Sequence, residues 1–370
     1  MHMKNTSKVS LLLIFFASFF TTLNAQDETN TPKYSNEFLQ IGVGARAYAM
    51  GNATVANVND ATAAYWNPAG LTKVQDWANV SLMHSEYFAG IAKYDYGTIA
   101  HSIDEKSTAA LSFIRFGVDN IPNTTQLIDN EGRIDYDRIT TFTAADMAFL
   151  FSYARELGVD GLSLGGSFKV VHRKAGDFAR SWGFGLDAGL QYEINDKFSL
   201  GVMARDITST FNAWSFNLDE ATKEVFLETG NEIPENGLEI TLPRIILAGS
   251  YKQDLGKNGI FLLTEMNIDV TTDRKRNVLL RSNPFSFDPH IGLEVGFKNF
   301  VAVRAGVNKV QRVKDFSDEY AYTLQPNVGI GVGFKGISLD YAFTNLGGAV
   351  NAFTHIISLK MELDKPKNMK

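Results

Sequence analysis

The stretches of this 370-residue chain with most chemical potential are two glycine patterns and a set of alternating charges. Gly42-x-Gly44-x-x-Ala47 and Gly331-x-Gly333-x-x-Gly336 have the spacing that lets a backbone approach a pyrophosphate. That chemistry needs a strand before the glycines and a helix N-terminus after them. The first pattern follows no strand, and the second lies inside a strand pattern with no helix behind it. Glycines at alternate strand positions serve another purpose, the close approach of a second segment. The 6 histidines show no ligand spacing; His101, His172, His290 and His355 fall in or beside strand patterns. The acidic run at residues 129–137 lacks the spacing of a calcium loop, and no G-x-S-x-G nucleophile motif occurs. The expectation is a chain with no catalytic residue, no metal site and no cofactor.

The charges are more informative. Between residues 180 and 193, Trp182, Phe184, Leu186, Ala188, Leu190 and Tyr192 alternate with Ser181, Gly183, Gly185, Asp187, Gly189 and Gln191. One face is wholly apolar and the other small or charged, which is the two-faced pattern of a β-strand. Applied along the chain, the alternation turns Lys169, Arg173, Asp187, Glu193, Arg205, Glu265, Glu294, Arg304, Asp340, Lys360 and Glu362 away from the apolar side. Charges of both signs on one face either pair across strands to fill a closed interior or line an aqueous pore. The filled interior is expected, with Asp187, Glu193, Arg205, Glu294, Arg304 and Asp340 as candidate lumen charges.

The elements that position these charges are about fourteen strands, centred near Leu82, Tyr96, Leu111, Phe149, Ser167, Leu186, Val202, Ile246, Leu263, Leu293, Val303, Ile330, Leu339 and Leu359. Each reads as about 9 to 13 residues, enough for a tilted strand to cross a bilayer. Even-numbered connections are short (102–107, 156–161, 195–197, 254–258, 298–299, 335–336), and four odd-numbered ones are long (119–143, 208–239, 271–288, 309–325). The first, fifth and thirteenth are tight. Short turns at one end and long loops at the other are the pattern of an outer-membrane barrel. A soluble sandwich has shorter strands, and a propeller shows a blade repeat that is missing here. The fold class is therefore all-β, a transmembrane antiparallel barrel of about fourteen strands. A mean hydropathy of -0.10 is compatible with it, because lumen-facing residues dilute the apolar face.

The first 25 residues have the basic start, short apolar run and small-residue exit of a secretory leader, with cleavage expected after Ala25. Residues 26–74 read as an N-terminal arm and a hatch, the arm (26–36) lying in the periplasm, and residues 75–370 read as the barrel. A net charge of -6 excludes the basic stripe of a nucleic-acid binder, and the chain has no cysteine. The long loop at 208–239 carries Trp214 and Phe216, expected as exposed aromatic contacts for a partner.

Residues 38–71 hold the remaining signal: Phe38-Leu39, Gly44-Ala45-Arg46-Ala47, Met50-Gly51, Asn59-Asp60 and Asn67-Pro68-Ala69-Gly70-Leu71. Their order resembles the N-terminal signature of the PorV/PorQ family, which is related to the FadL-type transporters. The resemblance implies a FadL-like barrel with this segment as a hatch in the lumen and Asn67-Pro68-Ala69 at its turn. It also implies an outer-membrane setting and partners among type IX secretion components or secreted cargo. The alternative it carries is a FadL-like channel for hydrophobic small molecules. Gly and Ala permit close packing inside the barrel, and Arg46 is expected to pair with Asp187 or Glu294.

Overall fold

The computed structural model describes residues 35–365, apart from 75, 129–131, 273–277, 283, 299, 315–318 and 346–352. The expected leader, most of the arm, the start of the acidic run and the thirteenth connection lie outside the described residues.

Seventeen antiparallel strands form one sheet. They are β1 (Ala78–Tyr87), β2 (Ala92–Asp104), β3 (Ser107–Asn123), β4 (Thr140–Glu156), β5 (Leu162–Ala175), β6 (Ala179–Glu193), β7 (Phe198–Arg205), β8 (Phe211–Phe216), β9 (Gly237–Ile240), β10 (Arg244–Asp254), β11 (Ile260–Thr271), β12 (Leu280–Arg281), β13 (Ser286–Phe297), β14 (Val301–Lys314), β15 (Tyr320–Phe334), β16 (Ile337–Asn345) and β17 (Phe353–Leu363). Fourteen of these are staves, and each contains one of the expected strand centres; β8, β9 and β12 are short additions. The first and last strands pair from Ala78↔Leu363 to Glu86↔His355, which closes the fourteen staves into a barrel. Closure satisfies every backbone group at the depth where no water is available.

The faces are inverted relative to a soluble sheet. Along β6, Trp182, Phe184 and Leu186 are exposed, while Ser181, Asp187 and Gln191 are buried. The same apolar exterior runs through Ile291, Leu293 and Val295 on β13 and through Val328, Ile330 and Val332 on β15. An exposed band of this kind is stable only against lipid.

Three of the expected long connections differ from the structure. Strands β3 and β4 are 17 residues each, longer than the expected 9 to 13, because residues assigned to the third connection continue the ladder past a register shift between Val118 and Ile121. The eleventh connection is likewise taken up by β14 and β15, which pair beyond a shift between Asn308 and Gln311. Above the lipid both strand faces are wet, so hydrophobic alternation is no longer enforced while backbone groups still need partners. The seventh connection is also structured. Strand β7 leaves β6 at Arg205, and β8 takes up the same edge of β6 nearer the loops, from Phe184↔Phe211 to Ala179↔Phe216. A short helix α3 (Glu220–Glu228) follows, its first turn capped by Asp219, which accepts from the Thr222 N–H at 2.7 Å; the Thr222 hydroxyl and then this N–H hold the exposed carboxyl below its ordinary pKa. Helix labels here follow chain order, with α1 (Ala45–Ala49) and α2 (Ala63–Trp66) in the hatch.

Candidate functional site

The hatch is a string of single turns: a 3-10 turn at Glu37–Gln40, helices α1 and α2, and a second 3-10 turn at Pro68–Lys73. None is long enough to be stable in water alone, so the barrel wall must hold them. Asn67 shows how. Its backbone is extended, its Oδ1 accepts from the Ala69 N–H, and its Nδ2 donates to the carbonyls of Val55 in the hatch and Leu190 in the wall. One side chain therefore caps the turn, ties it to the hatch interior and docks it on β6. Pro68 follows at the first position of the turn, where a missing N–H costs nothing.

Packing is set by wall glycines that face inward. A Cβ on Gly306 would lie 2.2 Å from the Met50 carbonyl carbon, and one on Gly292 would lie 2.4 Å from the Met50 oxygen. On the opposite side, Gly165 and Gly201 stand against the backbones of Pro68 and Val55. A Cβ on the hatch Gly51, itself at φ +62, would lie 2.8 Å from the Val307 backbone nitrogen. The strand glycines thus mark where hatch backbone touches wall backbone. Phe38, Leu39, Met50, Gly51, Asp60, Asn67, Pro68, Ala69 and Gly70 are all buried in this contact.

An ion-pair chain fastens one flank. Arg46 Nε reaches Glu294 Oε2 at 2.8 Å; Arg304 bridges Glu294 and Asp340 at 2.6 Å each; Lys360 joins Asp60 at 2.9 Å and approaches Asp340 at 4.0 Å. Hatch residues Arg46 and Asp60 are thereby tied to strands β13, β14, β16 and β17. Of the two carboxylates expected for Arg46, Glu294 is the partner. Burial alone would raise the Asp60 carboxyl, but Lys360, the Thr62 hydroxyl and Arg46 outweigh it and hold the group well below the usual carboxylate range. Burial likewise opposes the charge on Arg46, and Glu294 restores it, so the guanidinium stays charged. Asp187 instead belongs to a second cluster at the β6–β7 departure. There Lys169 Nζ lies 2.7 Å from Asp187 and 2.6 Å from Asp206, and Asp187 also accepts from the Asp206 N–H.

Above the hatch, on the side of the long connections, the lumen opens into a vestibule of about 510 Å³. Its floor is hatch: Asn36, Phe38, Ile41, Asn52, Tyr65 and Trp66. Its walls are mostly polar. Arg173 pairs with Asp146 at 2.9 Å and with Glu239 at 3.0 Å, and Arg244 pairs with Asp269 at 2.9 Å. Arg205, on the wall beside the floor, donates to the Leu39 and Tyr65 carbonyls and stacks over Tyr65 at 4.2 Å. Lys309 and the His290 imidazole complete the polar lining, the imidazole Nδ1 standing 3.0 Å from the Gly51 carbonyl oxygen.

Several expected positions move. Glu193 and Glu362, assigned to the lumen, are exposed; Glu193 sits at the short-turn end with Lys73 at 2.6 Å. The strand alternation runs one residue past the end of the enclosed interior in each case. Trp214 and Phe216 are half-buried residues of β8 instead of exposed loop aromatics. Trp214 donates to Glu239 at 3.1 Å and lies under Arg173, because β8 continues the wall and turns alternate residues inward. The arm expected in the periplasm is corrected where it is described. Ser35 bonds Glu239 at 3.0 Å and Asn36 bonds Thr241 at 2.9 Å, both at the long-connection end. The chain therefore enters the hatch from the external half of the lumen. Sequence reading missed Asn52, Arg244, Asn267, Asp269 and Lys309, and weighed His290 only as a metal ligand. Asn267 and Asp269 were available from alternation with Met266, Ile268 and Val270, but uncharged Asn drew no notice.

No protein-family model matches the chain, and no curated protein matches it in sequence. Solved structures do. The CymD monoaromatic hydrocarbon channel superposes with a TM-score of 0.54 at 13% identity, covering 90% of this chain and 100% of that one. The Pseudomonas putida toluene transporter TodX gives 0.52 at 14%, covering 88% and 99%. The Ralstonia pickettii toluene transporter TbuX gives 0.51 at 12%, covering 87% and 98%. At these identities the likeness establishes the architecture: this chain has the closed antiparallel barrel fold of those channels and transporters, with fourteen staves around its own hatch.

Proposed function

We propose that the chain is a hatch-closed outer-membrane channel that admits small molecules from the external side. The observation that carries this reading is the vestibule, about 510 Å³ and floored by hatch residues, a volume within the usual range for small-molecule sites. The fold shared with hydrocarbon channels supports it, and the ring-bearing floor of Phe38, Tyr65 and Trp66, with Phe116 on the wall, offers apolar contact for a ligand. Passage requires the hatch to yield, since its small residues are packed directly on wall glycines.

A role in type IX secretion rests on the hatch signature at residues 38–71 and on its resemblance to the PorV/PorQ family. One experiment separates the two readings. A deletion strain is assayed in parallel for uptake of labelled small aromatic compounds and for surface display of secreted proteins. Reduced uptake with intact display is expected. Unchanged uptake with lost display would overturn the channel reading and favour the secretion role.

A further inference from the structure

We infer that the outer face of β1, β2 and β3 is the contact between two copies of this barrel, side by side in the membrane. Along β6 the outward side chains carry no charge from Tyr192 up to Trp182, and the first outward charge is Arg180, about thirteen residues above Glu193 at the short-turn end. On β2 and β3 the first are Asp95 and Arg115, about nine and eight residues above Asp104 and Ser107. The difference of four or five residues is about 10 Å at the tilt of a membrane strand. His84 and Glu86 on β1 join the same patch, alternating with the buried Ser85 and Tyr87. These charges therefore stand inside the band that elsewhere faces lipid, where an outward charge is destabilising.

Anionic headgroups do not answer the patch. Glu86, Asp95 and Asp119 outnumber Lys93 and Arg115, and both cations are already paired, Lys93 with Asp119 at 3.6 Å and Arg115 with Asp119 at 3.2 Å and Asp95 at 3.9 Å. The patch is complementary to itself instead. Glu86 on β1 has only the His84 imidazole as a charged neighbour among the described residues, at 3.8 Å, and Arg115 stands on β3 with β2 between them. Two copies in one membrane share an orientation, so a closed pair has its axis along the membrane normal. With that axis at β2, β1 of each copy faces β3 of the other, and each Glu86 meets an Arg115. The first connection caps the same place. Phe88 and Ile91 are 59% and 64% exposed there, and Phe88 holds a left-handed backbone, φ 54, that a bulky residue rarely adopts. Brought together near the axis, two such tips give the contact an apolar centre flanked by ion pairs.

The test uses the full chain in native outer membranes. The chain has no cysteine, so Ala89→Cys places a single thiol between Phe88 and Ile91, and Ile91→Cys is the second reporter should the left-handed backbone at Ala89 refuse the larger side chain. After oxidation, non-reducing gels are expected to show a covalent pair of twice the chain's mass, at least about fivefold more abundant than from Met266→Cys on the outer face of β11 across the barrel. Glu86→Arg and Arg115→Glu should each cut that yield about fivefold or more, and the double swap should restore it to within about twofold. Unheated gel mobility reports folding of the barrel in every variant. A yield no greater than that of Met266→Cys, which lipid alone on this face would give, overturns the inference. So does cross-linking only to a protein of another mass, a yield indifferent to the single swaps, or no recovery in the double swap.

Discussion

Replacement of Gly306 by alanine tests whether the hatch is seated by backbone contact with the wall. A Cβ there would lie 2.2 Å from the Met50 carbonyl carbon and 2.3 Å from the Gly51 nitrogen, where ordinary contact begins at 3.4 Å, a shortfall of about 1.2 Å. The obstructed atoms are main chain, so no side-chain rotation relieves them, and the backbone of Gly306 itself needs no left-handed conformation. Overpacking of this kind costs about 1–3 kcal/mol, which multiplies the unseated population by roughly 5 to 150. The chain has no cysteine, so a single Val55→Cys substitution gives a clean reporter. Val55 is completely buried, and the smaller side chain adds no steric load. In that background, the maleimide labelling rate measures how often the hatch leaves its seat. Gly306→Ala should raise the rate roughly tenfold or more, at the low end if the wall relaxes. Gly97→Ala is the control, because its Cβ would meet only Leu82 at 3.4 Å on the outer face. Labelling of the Gly306 variant within twofold of the control would refute seating by backbone contact.

The other expectations concern charge. Arg46→Met removes one of the two cations on Glu294; since Arg304 remains, the loss should be about 2 kcal/mol, under the 3–5 usual for breaking a buried pair, read as faster labelling without a change in the heat-shifted gel mobility of the barrel. Lys169→Met strands two buried carboxylates, Asp187 and Asp206, and should cost about 3–5 kcal/mol, lowering the temperature at which unheated protein converts to the unfolded gel form. Adding Asp187→Asn and Asp206→Asn should recover most of that loss; no recovery would remove the ion cluster as its cause. The depressed Asp60 carboxyl predicts the pH response. A group whose folded pKa lies below its unfolded value of 3.8 stabilises the folded hatch in full above that value and loses this contribution progressively as pH falls below it toward the lower folded pKa. Hydrogen exchange in residues 45–66 should be flat from neutral pH to about pH 4.5, after correction for intrinsic rates, and should accelerate below about pH 4. Asp60→Asn should abolish the acceleration; an identical response in the variant would assign it elsewhere.

The barrel was legible from sequence because its physics repeats at every second residue. All fourteen expected centres fall in staves, including the weakly alternating Ser167 on β5, since a wall residue has only two choices of face and lipid enforces one of them. Legibility ended where that pressure ends. The extensions of β3, β4 and β14 above the lipid carry no sustained apolar alternation, so they read as loops; that of β15 does alternate, Tyr320, Tyr322 and Leu324 against Ala321, Thr323 and Gln325, and was passed over, while Glu193 and Glu362 alternate correctly yet stand at the rim. The hatch was readable as a segment, from small residues and an Asn-Pro turn, but its route was not. Ser35 and Asn36 reach the external half of the lumen through bonds to Glu239, Thr241 and Asn212, partners more than 170 positions away that no local pattern announces. The vestibule was hidden for a related reason. Its chemistry depends on which charges find partners, and sequence supplies the charges without the pairing. Arg173 and Arg205 look equivalent on alternating strands. Only the fold places Asp146 and Glu239 against the first and leaves the second facing carbonyls and rings. Arg205 is thereby seated against the hatch by carbonyls and rings, whereas Arg46 and Arg304 are clamped by carboxylates.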